Sequence, residues 1–430
     1  MPAYARTRLR QATDLLDRLL QFDLPADAII DRYFKANRNM GARDRAFAAE
    51  TVYGCLRHMR ELQALYEPVH KPETTAERAA WLAATWLLKY AGWSARALIQ
   101  AGFAAGAVQL VERIRALDLF EFPLAVRANL PDWLADSLCL RFGADETLML
   151  AASLNQPAPV DIRVNIGKID REHLQSQLKE EGFELMPTPY SPYGLRRELR
   201  GPLFTSRAFR AGLFELQDEG SQLIGLLAHV KPGQQVVDFC AGAGGKTLQM
   251  AAMMGNSGAV YAFDVARKRL DRLRPRLLRA GVHTVQRHVI QDENDPALAR
   301  LAAKADVVLV DAPCSGTGTL RRNPDIKWRQ INIAGLSTLQ GRILDSAARL
   351  VKRGGRLVYA TCSLLQEENS GVTSLFLAAH PEFKVLPAGE ILVSQGIGIH
   401  GAQALDGALE LFPHRHNTDG FYALVMQRAI

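Results

Sequence analysis

The spacing of apolar side chains divides the chain into three segments with different predicted structures. Up to about residue 125, apolar residues recur every three or four positions, as at Leu9, Leu16 and Leu20. That period is typical of amphipathic helices. We therefore predict an all-helical domain over residues 1–125.

The middle segment, residues 130–212, has a mixed pattern. A plausible linker runs from Pro123 to Pro131, and the run from Pro157 to Asn165 alternates like a strand. A helical stretch covers Arg171 to Glu181, and three prolines break up the sequence that follows it. We predict a small α+β module here that binds RNA.

From about Gln234 onward, strand and helix patterns alternate regularly. The strand candidates are Val236 to Phe239, Ala259 to Phe263, Thr284 to Val289, Val307 to Val310 and Arg356 to Tyr359. The helical stretches between and after them are Thr247 to Met254, Lys268 to Ala280, Asp295 to Ala303 and Leu336 to Val351. This alternation predicts a mostly parallel sheet with crossover helices, an α/β Rossmann-like domain over residues 213–430.

Composition narrows the class of protein. The 430 residues are 48% hydrophobic, enough for several buried cores, and the formal net charge of +7 favours a polyanionic partner. The five cysteines are widely spaced, so we expect neither a disulfide framework nor a metal site. The most apolar early run, Ala79 to Leu88, is too short to span a bilayer. We expect a soluble, monomeric, cytoplasmic protein with no membrane segment.

A glycine-rich turn follows the first strand of the α/β domain and predicts a cofactor site. The turn resembles the end of a Walker A loop, but Cys240 stands where that loop needs glycine, and the dinucleotide pattern also fails. An acidic strand end followed by such a turn is typical of S-adenosylmethionine binding. The loop residues predicted to contact this cofactor are Cys240, Ala241, Gly242, Ala243, Gly244, Gly245 and Lys246.

Acidic residues also end four of the predicted strands. Asp264 lies where a carboxylate can hold ribose hydroxyls, and Asp292 lies where a side chain can reach the adenine amino group. A single aspartate of this kind is more often a helix N-cap. Together, the four aspartates favour a binding site at one edge of the sheet. They are Asp238, Asp264, Asp292 and Asp311.

Two cysteines, Cys314 and Cys362, each follow a buried strand directly, and Asp311 lies beside the first. Most free cysteines are small buried hydrophobes, and that interpretation suits Cys55 and Cys139. Thiols that lie beyond strand ends, among glycine and polar residues, are better explained by a role in catalysis, because ligands of open α/β sheets bind there.

Five motifs in the C-terminal half together resemble the Sun-type (Sun/Nop) family of RNA cytosine-5 methyltransferases. They are Gln217-Asp-Glu-Gly-Ser221, Cys240-Ala-Gly-Ala-Gly-Gly-Lys-Thr247, Asp311-Ala-Pro-Cys-Ser-Gly-Thr-Gly318, Asn323-Pro-Asp-Ile-Lys-Trp328, and Thr361-Cys-Ser363 with Glu367-Glu-Asn369. One departure is Gly242-Ala243, where the family usually has Ala-Pro. The N-terminal runs Met40 to Phe47 and Glu50 to Arg57 resemble a NusB-type RNA-binding domain, which favours the bacterial 16S ribosomal RNA branch of the family.

The resemblance implies a mechanism and a partner. Cys362 would be the nucleophile that adds to cytosine C6, Asp311 would bind the ring at N3, and Cys314 would act in the release step. The partner would be RNA, and ribosomal RNA in particular. The side chains beside the active-site loop that we expect to face it are Arg321, Arg322 and Lys327.

Several alternatives remain open from the sequence. Trp328 belongs either to a core or to the RNA surface, and the polar turn Lys35 to Arg45 is either a solvated helix start or an RNA contact. A methyltransferase acting on DNA would use Cys314 as its nucleophile, and one acting on tRNA would keep the same chemistry. A ribosome-assembly factor could have kept the fold and lost catalysis.

Overall fold

The computed structural model describes residues 2–198 and 201–430. Its contacts divide the chain into two compact units. The first comprises Met1–Pro157 and Thr319–Gln330, and the second comprises Ala158–Gly318 and Ile331–Ile430. A short segment from the middle of the C-terminal half therefore packs with the N-terminal helices.

The first unit is helical throughout. Its α-helices are α1 (Pro2–Leu19), α2 (Ala26–Ala36), α3 (Ala42–Arg57), α4 (Met59–Tyr66), α5 (Thr75–Lys89), α6 (Ala95–Gln100), α7 (Ala107–Ala116), α8 (Leu124–Ala128), α9 (Asp132–Phe142) and α10 (Ala144–Leu154). Short 3₁₀ helices cover Leu119–Glu121 and Pro324–Trp328. Leucine side chains such as Leu16, Leu56 and Leu82 are fully buried in its core. The helices predicted over residues 1–125 are confirmed, and the likeness of this unit to a NusB domain stays a prediction.

Two details of this unit bear on the sequence analysis. Helices α9 and α10 pack with the helical unit, whereas the sequence pattern placed the start of the α+β module at residue 130. At the start of α3, the carboxylate of Asp44 accepts a hydrogen bond of 2.8 Å from Arg8 Nε. This acid lies in the first turn of α3, where the helix dipole favours it.

The second unit begins with a small antiparallel sheet in the order β2-β3-β1-β4. The strands are β1 (Val160–Val164), β2 (Met186–Pro187), β3 (Gly194–Arg197) and β4 (Phe214–Leu216). Helices α11 (Arg171–Glu180) and α12 (Arg207–Arg210) and a 3₁₀ turn (Leu203–Thr205) complete the module. Its core includes Ile162, Leu174 and Phe214, all fully buried.

A large sheet follows, in the order β10-β12-β9-β8-β5-β6-β7, with β11 paired to β12. Its strands are β5 (Gln235–Asp238), β6 (Ala259–Asp264), β7 (Val285–Val289), β8 (Ala305–Asp311), β9 (Val351–Thr361), β10 (Phe383–Leu386), β11 (Leu409–Leu411) and β12 (Phe421–Arg428). Strands β5 to β9 are parallel, and β12 runs antiparallel to both β9 and β10.

Helices cover both faces of this sheet. They are α13 (Glu219–Leu227), α14 (Gly245–Met253), α15 (Arg267–Ala280), α16 (Ile333–Ala348), α17 (Ser370–Ala379), α18 (Ala388–Val393) and α19 (Pro413–His416), with 3₁₀ helices at Pro296–Leu301, Thr317–Thr319 and Gln366–Glu368. Two separate clusters of buried residues form one core on each face. This explains why the central strands are continuously apolar in sequence.

The structure confirms the predicted Rossmann-like sheet, with two differences of detail. The stretch predicted as a helix from Asp295 is a 3₁₀ helix, because Asp295 caps a short turn that begins at Pro296. Strands β10 to β12 were not predicted. Within the described ranges, no helix combines the length and the apolar character needed to cross a bilayer.

Candidate active site

A cavity of about 700 Å³ lies at the carboxyl ends of β5, β6, β8 and β9. Its volume falls within the ~300–1,000 Å³ typical of small-molecule sites. Its walls bring together strand ends that are distant in sequence. The predicted site residues among its lining are Cys240, Ala241, Gly242, Ala243, Gly245, Lys246, Asp264, Asp292, Asp311, Cys314 and Cys362.

The glycine-rich loop forms one wall, and Gly244 explains why this loop needs glycine. Gly244 adopts φ +84°, and an added Cβ would lie 2.1 Å from a methyl carbon of Leu273. Its position directly before α14 therefore excludes any larger residue. From the small sheet, Arg163 donates a hydrogen bond of 2.8 Å to the carbonyl of Gly245 and so fixes the far end of the loop.

Asp264 is held in place by two backbone donors. Gly242 N donates to one carboxylate oxygen at 2.8 Å, and Ala266 N donates to the other at 2.7 Å. Each oxygen keeps a second lone pair for a ligand hydroxyl. Asp292 is exposed beyond the end of β7, where it accepts a hydrogen bond of 2.8 Å from Asn294 N. Both acids line the cavity.

Asp238 is the most buried acid of the cavity wall, at 1% exposure. One carboxylate oxygen accepts a hydrogen bond of 2.6 Å from the Thr247 hydroxyl. The other oxygen is buried without a partner among the described residues. Burial raises the pKa of Asp238 to about 7, with the negative charges of Asp311 and Asp264 acting in the same direction. An unpaired buried acceptor fits a cofactor that brings its own hydrogen-bond donors.

Lys246 and Asp311 form an ion pair beside the glycine-rich loop. Lys246 Nζ lies 2.7 Å from Asp311 Oδ2, with the lysine side chain 9% exposed and the aspartate 33%. Burial lowers the pKa of Lys246, but the adjacent charge of Asp311 and its hydrogen bond more than offset this, so the pKa is above its usual value. The pair joins the cofactor loop to the predicted catalytic aspartate.

The two predicted catalytic thiols meet in the cavity, with Cys314 Sγ 3.3 Å from Cys362 Sγ. Their loops are also joined through the backbone, because Gly318 N donates to the carbonyl of Cys362 at 2.9 Å. A Cβ on Gly318 would lie 2.1 Å from the carbonyl oxygen of Gly420, so only glycine allows this approach. The hydrogen bond with Cys362, followed by burial, raises the pKa of Cys314 well above its usual value.

Three residues that the sequence analysis gave no role also shape this site. Thr247 pairs with the buried aspartate, and Arg269 lines the cavity. Glu368 is fully buried and binds the residue after each of the two predicted catalytic cysteines. Its only signal in the sequence is its place in the Glu-Glu-Asn motif after the second cysteine.

The segment predicted to face RNA packs within the helical unit. Lys327 is 1% exposed, and its ammonium donates to the carbonyls of Arg57 at 3.2 Å and Asn129 at 3.1 Å, and to the side-chain oxygen of Asn155. Burial lowers the pKa of Lys327 to about 7. The prediction that Lys327 contacts RNA is therefore wrong, since its ammonium has three internal acceptors.

The neighbours of Lys327 follow the same pattern. Trp328 donates a hydrogen bond of 2.8 Å to the carbonyl of Leu56 and packs on the helical core, which supports the core interpretation. Arg321 is 5% exposed, contrary to the predicted substrate contact. Arg322 is half-buried, and its contact with RNA stays a prediction.

Helix α15 presents a basic surface that begins at the cavity rim. Arg276 and Arg279 pair with Glu215, on the side of the helix that faces the small sheet. Along the rest of the helix, five exposed cations make no hydrogen bond or ion pair within the described part of the chain: Arg267, Lys268, Arg269, Arg272 and Arg274. Like charges one turn apart cost a helix stability. Such a surface is suited to a polyanion.

No group of three or more His, Cys, Asp or Glu side chains is arranged to hold a metal ion in the two described ranges.

Comparisons with known proteins agree with this site. A family model described as 16S rRNA methyltransferase RsmB/F matches residues 226–427, and an RsmF/B-like ferredoxin-like domain matches residues 130–202. A probable ribosomal RNA small subunit methyltransferase B of Synechocystis sp. is 31% identical, over 95% of this chain and 96% of the relative. The ribosomal RNA small subunit methyltransferase B of Thermus thermophilus is 31% identical over 90% and 89%.

Two solved structures are also similar to this chain over most of its length. The structure described as PH0851 covers 98% of this chain and 99% of its own, with a TM-score of 0.77 and 28% identity. A methyltransferase homolog from Pyrococcus horikoshii covers 73% and 100%, with a TM-score of 0.62 and 29% identity. The predicted cofactor, S-adenosyl-L-methionine, is confirmed, and so is the resemblance to the Sun-type enzymes. The chain belongs to the RsmB/F family of 16S rRNA methyltransferases.

Proposed function

We propose that this protein transfers a methyl group from S-adenosyl-L-methionine to C5 of a cytosine in 16S ribosomal RNA, through a covalent bond between Cys362 Sγ and cytosine C6. The observation that carries this proposal is the pair of thiols at 3.3 Å in the cavity that holds the cofactor loop. The ion pair of Lys246 and Asp311 lines the same cavity. A cofactor site alone would not need these groups.

The cofactor half of the cavity is formed by the glycine-rich loop, Asp264 and Asp292. Asp264 would hold the ribose hydroxyls through its oriented carboxylate lone pairs, and Asp292 would accept from the adenine amino group. The unpartnered oxygen of Asp238 supplies one more acceptor at the same wall. When bound, the cofactor supplies an electrophilic methyl group on a positively charged sulfur.

The first step is addition of the Cys362 thiolate to the target base. The new bond joins Sγ to C6, and the electrons of the C5–C6 double bond make C5 nucleophilic enough to take the methyl group. Asp311 passes a proton from solvent to the ring at N3, where negative charge develops, and takes it back on release. Lys246 holds the carboxylate through its 2.7 Å contact. The proton that Cys362 loses on ionisation passes to solvent.

Release restores the base and the enzyme. The C5 proton leaves to solvent, the double bond forms again, and the bond between C6 and sulfur breaks. Cys314 acts in this step, because its thiol at 3.3 Å is placed to donate a hydrogen bond to the departing sulfur of Cys362. The high pKa of Cys314 keeps it in the thiol form that this role requires.

A methyl-transfer assay with sequencing tests the proposal. Unmodified 16S rRNA, alone and in small subunits, is incubated with the protein and the cofactor, and 5-methylcytidine is identified by mass spectrometry and located by bisulfite sequencing. We expect one methylated cytosine, no product with Cys362→Ala, and full product with Cys139→Ala, a matched change outside the cavity. Methylation of another base or another ring atom would refute the proposal.

A further inference from the structure

Glu368 occupies an unusual position for an acid. It ends the 3₁₀ helix that follows β9, and it is fully buried. Its carboxylate accepts hydrogen bonds from Ser315 N at 2.8 Å, Ser315 Oγ at 2.5 Å, Ser363 Oγ at 2.5 Å and Gln340 Nε2 at 3.0 Å. In the described ranges no basic side chain forms an ion pair with it, so neutral donors alone hold the charge. Buried carboxylates are rare without a cation, which suggests a role beyond packing.

The bonds of Glu368 join the two catalytic loops. Ser315 directly follows Cys314, and Ser363 directly follows Cys362, so one carboxylate holds the neighbours of both thiols. The hydroxyls of Thr317 and Ser363 lie 3.2 Å apart and connect the loops a second time. The spacing of 3.3 Å between the thiols therefore depends on contacts made behind them.

The charges around the two thiols are not symmetric. The hydrogen bond with Cys362, followed by burial, raises the pKa of Cys314, and the charge of Glu368 acts in the same direction. Tyr359 also faces Cys314 from β9, but its own pKa is raised well above its usual value by burial, so it stays neutral. On the other side, Lys246 lines the same cavity as Cys362. Asp311 is paired with that lysine.

We propose that Glu368 is a positioning residue of the two-thiol site: its carboxylate holds the Cys314 and Cys362 loops in register, and its charge keeps the proton on Cys314. Two thiols this close do not both ionise readily, since the first thiolate disfavours the second. Glu368 thereby selects Cys362 as the thiol that loses its proton. This inference rests on the proposed function, which assigns different roles to the two cysteines.

Three variants separate the charge of Glu368 from its hydrogen bonds. In Glu368→Gln, the amide oxygen can keep the bonds from Ser315 N and Gln340, and the two serine hydroxyls can turn to accept from the new amide. The charge is lost and the geometry is kept. Ser363→Ala removes one bond to the second loop and keeps the charge. Glu367→Gln is the matched control, because that neighbouring carboxylate is exposed.

The test is site-resolved alkylation of the full chain with iodoacetamide between pH 6 and 9, without RNA or cofactor, with mass spectrometry of the peptides that contain each cysteine. In the wild-type protein we expect Cys362 to react at lower pH than Cys314. In Glu368→Gln we expect the labelling of Cys314 relative to Cys362 to rise about 10-fold at pH 7.5. Glu367→Gln should match the wild type.

Ser363→Ala gives a second measurement that does not depend on the folding of the glutamine variant. With the charge retained, the preference for Cys362 should persist, while kcat for methyl transfer falls about 10-fold and KM for RNA stays unchanged. An unchanged alkylation ratio in a folded Glu368→Gln protein would overturn the proposal, and so would a lost preference in Ser363→Ala. Because alkylation needs no substrate, a failure of the proposed function would appear separately, as absent methyl transfer with the thiol preference intact.

Discussion

Replacing Asp238 by asparagine tests the electrostatics of the cavity. The pKa of this buried acid is raised from 3.8 to about 7. Between these values the folded protein retains a proton that the unfolded chain has released, so stability falls as pH rises through this window. About three pKa units, at ~1.4 kcal/mol each, give a loss of ~4 kcal/mol that is complete above pH 7. Asp238→Asn lacks this titration and avoids the loss.

The assay must report on the sheet that contains Asp238. All five tryptophans, at positions 81, 86, 93, 133 and 328, lie in the helical unit, so their fluorescence follows that unit only. Amide hydrogen exchange of β5 and β8 is the appropriate measurement, since Phe239 N is bonded to the carbonyl of Leu309 at 2.9 Å. Opening free energies are compared for the wild type and the variant at several pH values, after correction for intrinsic exchange rates.

We expect the variant to gain stability relative to the wild type by ~2 kcal/mol or more between pH 5 and pH 7. Any free-energy cost of introducing the asparagine amide is the same at every pH, so it does not affect the change in relative stability between pH 5 and pH 7. Gln291→Asn, an uncharged change in the lining of the same cavity, should give a curve parallel to that of the wild type. Parallel curves for the wild type and Asp238→Asn over this range would refute the assigned burial effect.

Three further perturbations follow from the contacts described above. Lys327→Met should lower the stability of the helical unit by ~3 kcal/mol, because three buried oxygens lose their donor; an unchanged midpoint in urea, followed by tryptophan fluorescence, would contradict this. Lys246→Met should lower kcat for methyl transfer about 100-fold, because Asp311 loses the ammonium that holds it in place; an unchanged kcat would count against the assigned pairing. The double variant Lys268→Gln/Arg272→Gln should weaken RNA binding and reduce the slope of log affinity against log salt by ~1.4, at about 0.7 per phosphate contact. Fluorescence anisotropy at several salt concentrations measures this slope, and Lys384→Gln on the distant edge strand β10 should leave it unchanged; equal slopes for both variants would show that α15 does not contact the phosphates.

Local pattern was sufficient to predict the centre of the fold and most of the cavity. Strands such as β8 are continuous apolar runs because helices cover both faces of the sheet, so the carboxyl ends of β5 to β9 could be located within two residues. Asp311 and Cys314 follow from those ends, since carboxyl ends of parallel strands meet at one edge. The acids and thiols therefore converge in the structure as the sequence predicted.

The errors and omissions all depend on contacts between distant parts of the chain. Lys327 belongs to a polar loop by every local criterion, and only carbonyls from residues 57 and 129 and an amide from residue 155 make its burial possible. Glu368 likewise lies in an ordinary polar turn, and its role arises from serines that follow two different strands. The position of β12 between β9 and β10 depends on pairing over many residues, for which no local pattern exists.

Covalent capture of the target base tests the central claim most directly. RNA that contains 5-fluorocytidine is incubated with the protein and the cofactor, because fluorine at C5 cannot leave as a proton and holds the adduct before release. We predict a stable protein–RNA adduct that Cys362→Ala abolishes and that Cys314→Ala retains, with peptide mass spectrometry placing the bond on Cys362 Sγ. An adduct that is lost only in Cys314→Ala, or that maps to Cys314, would contradict the account.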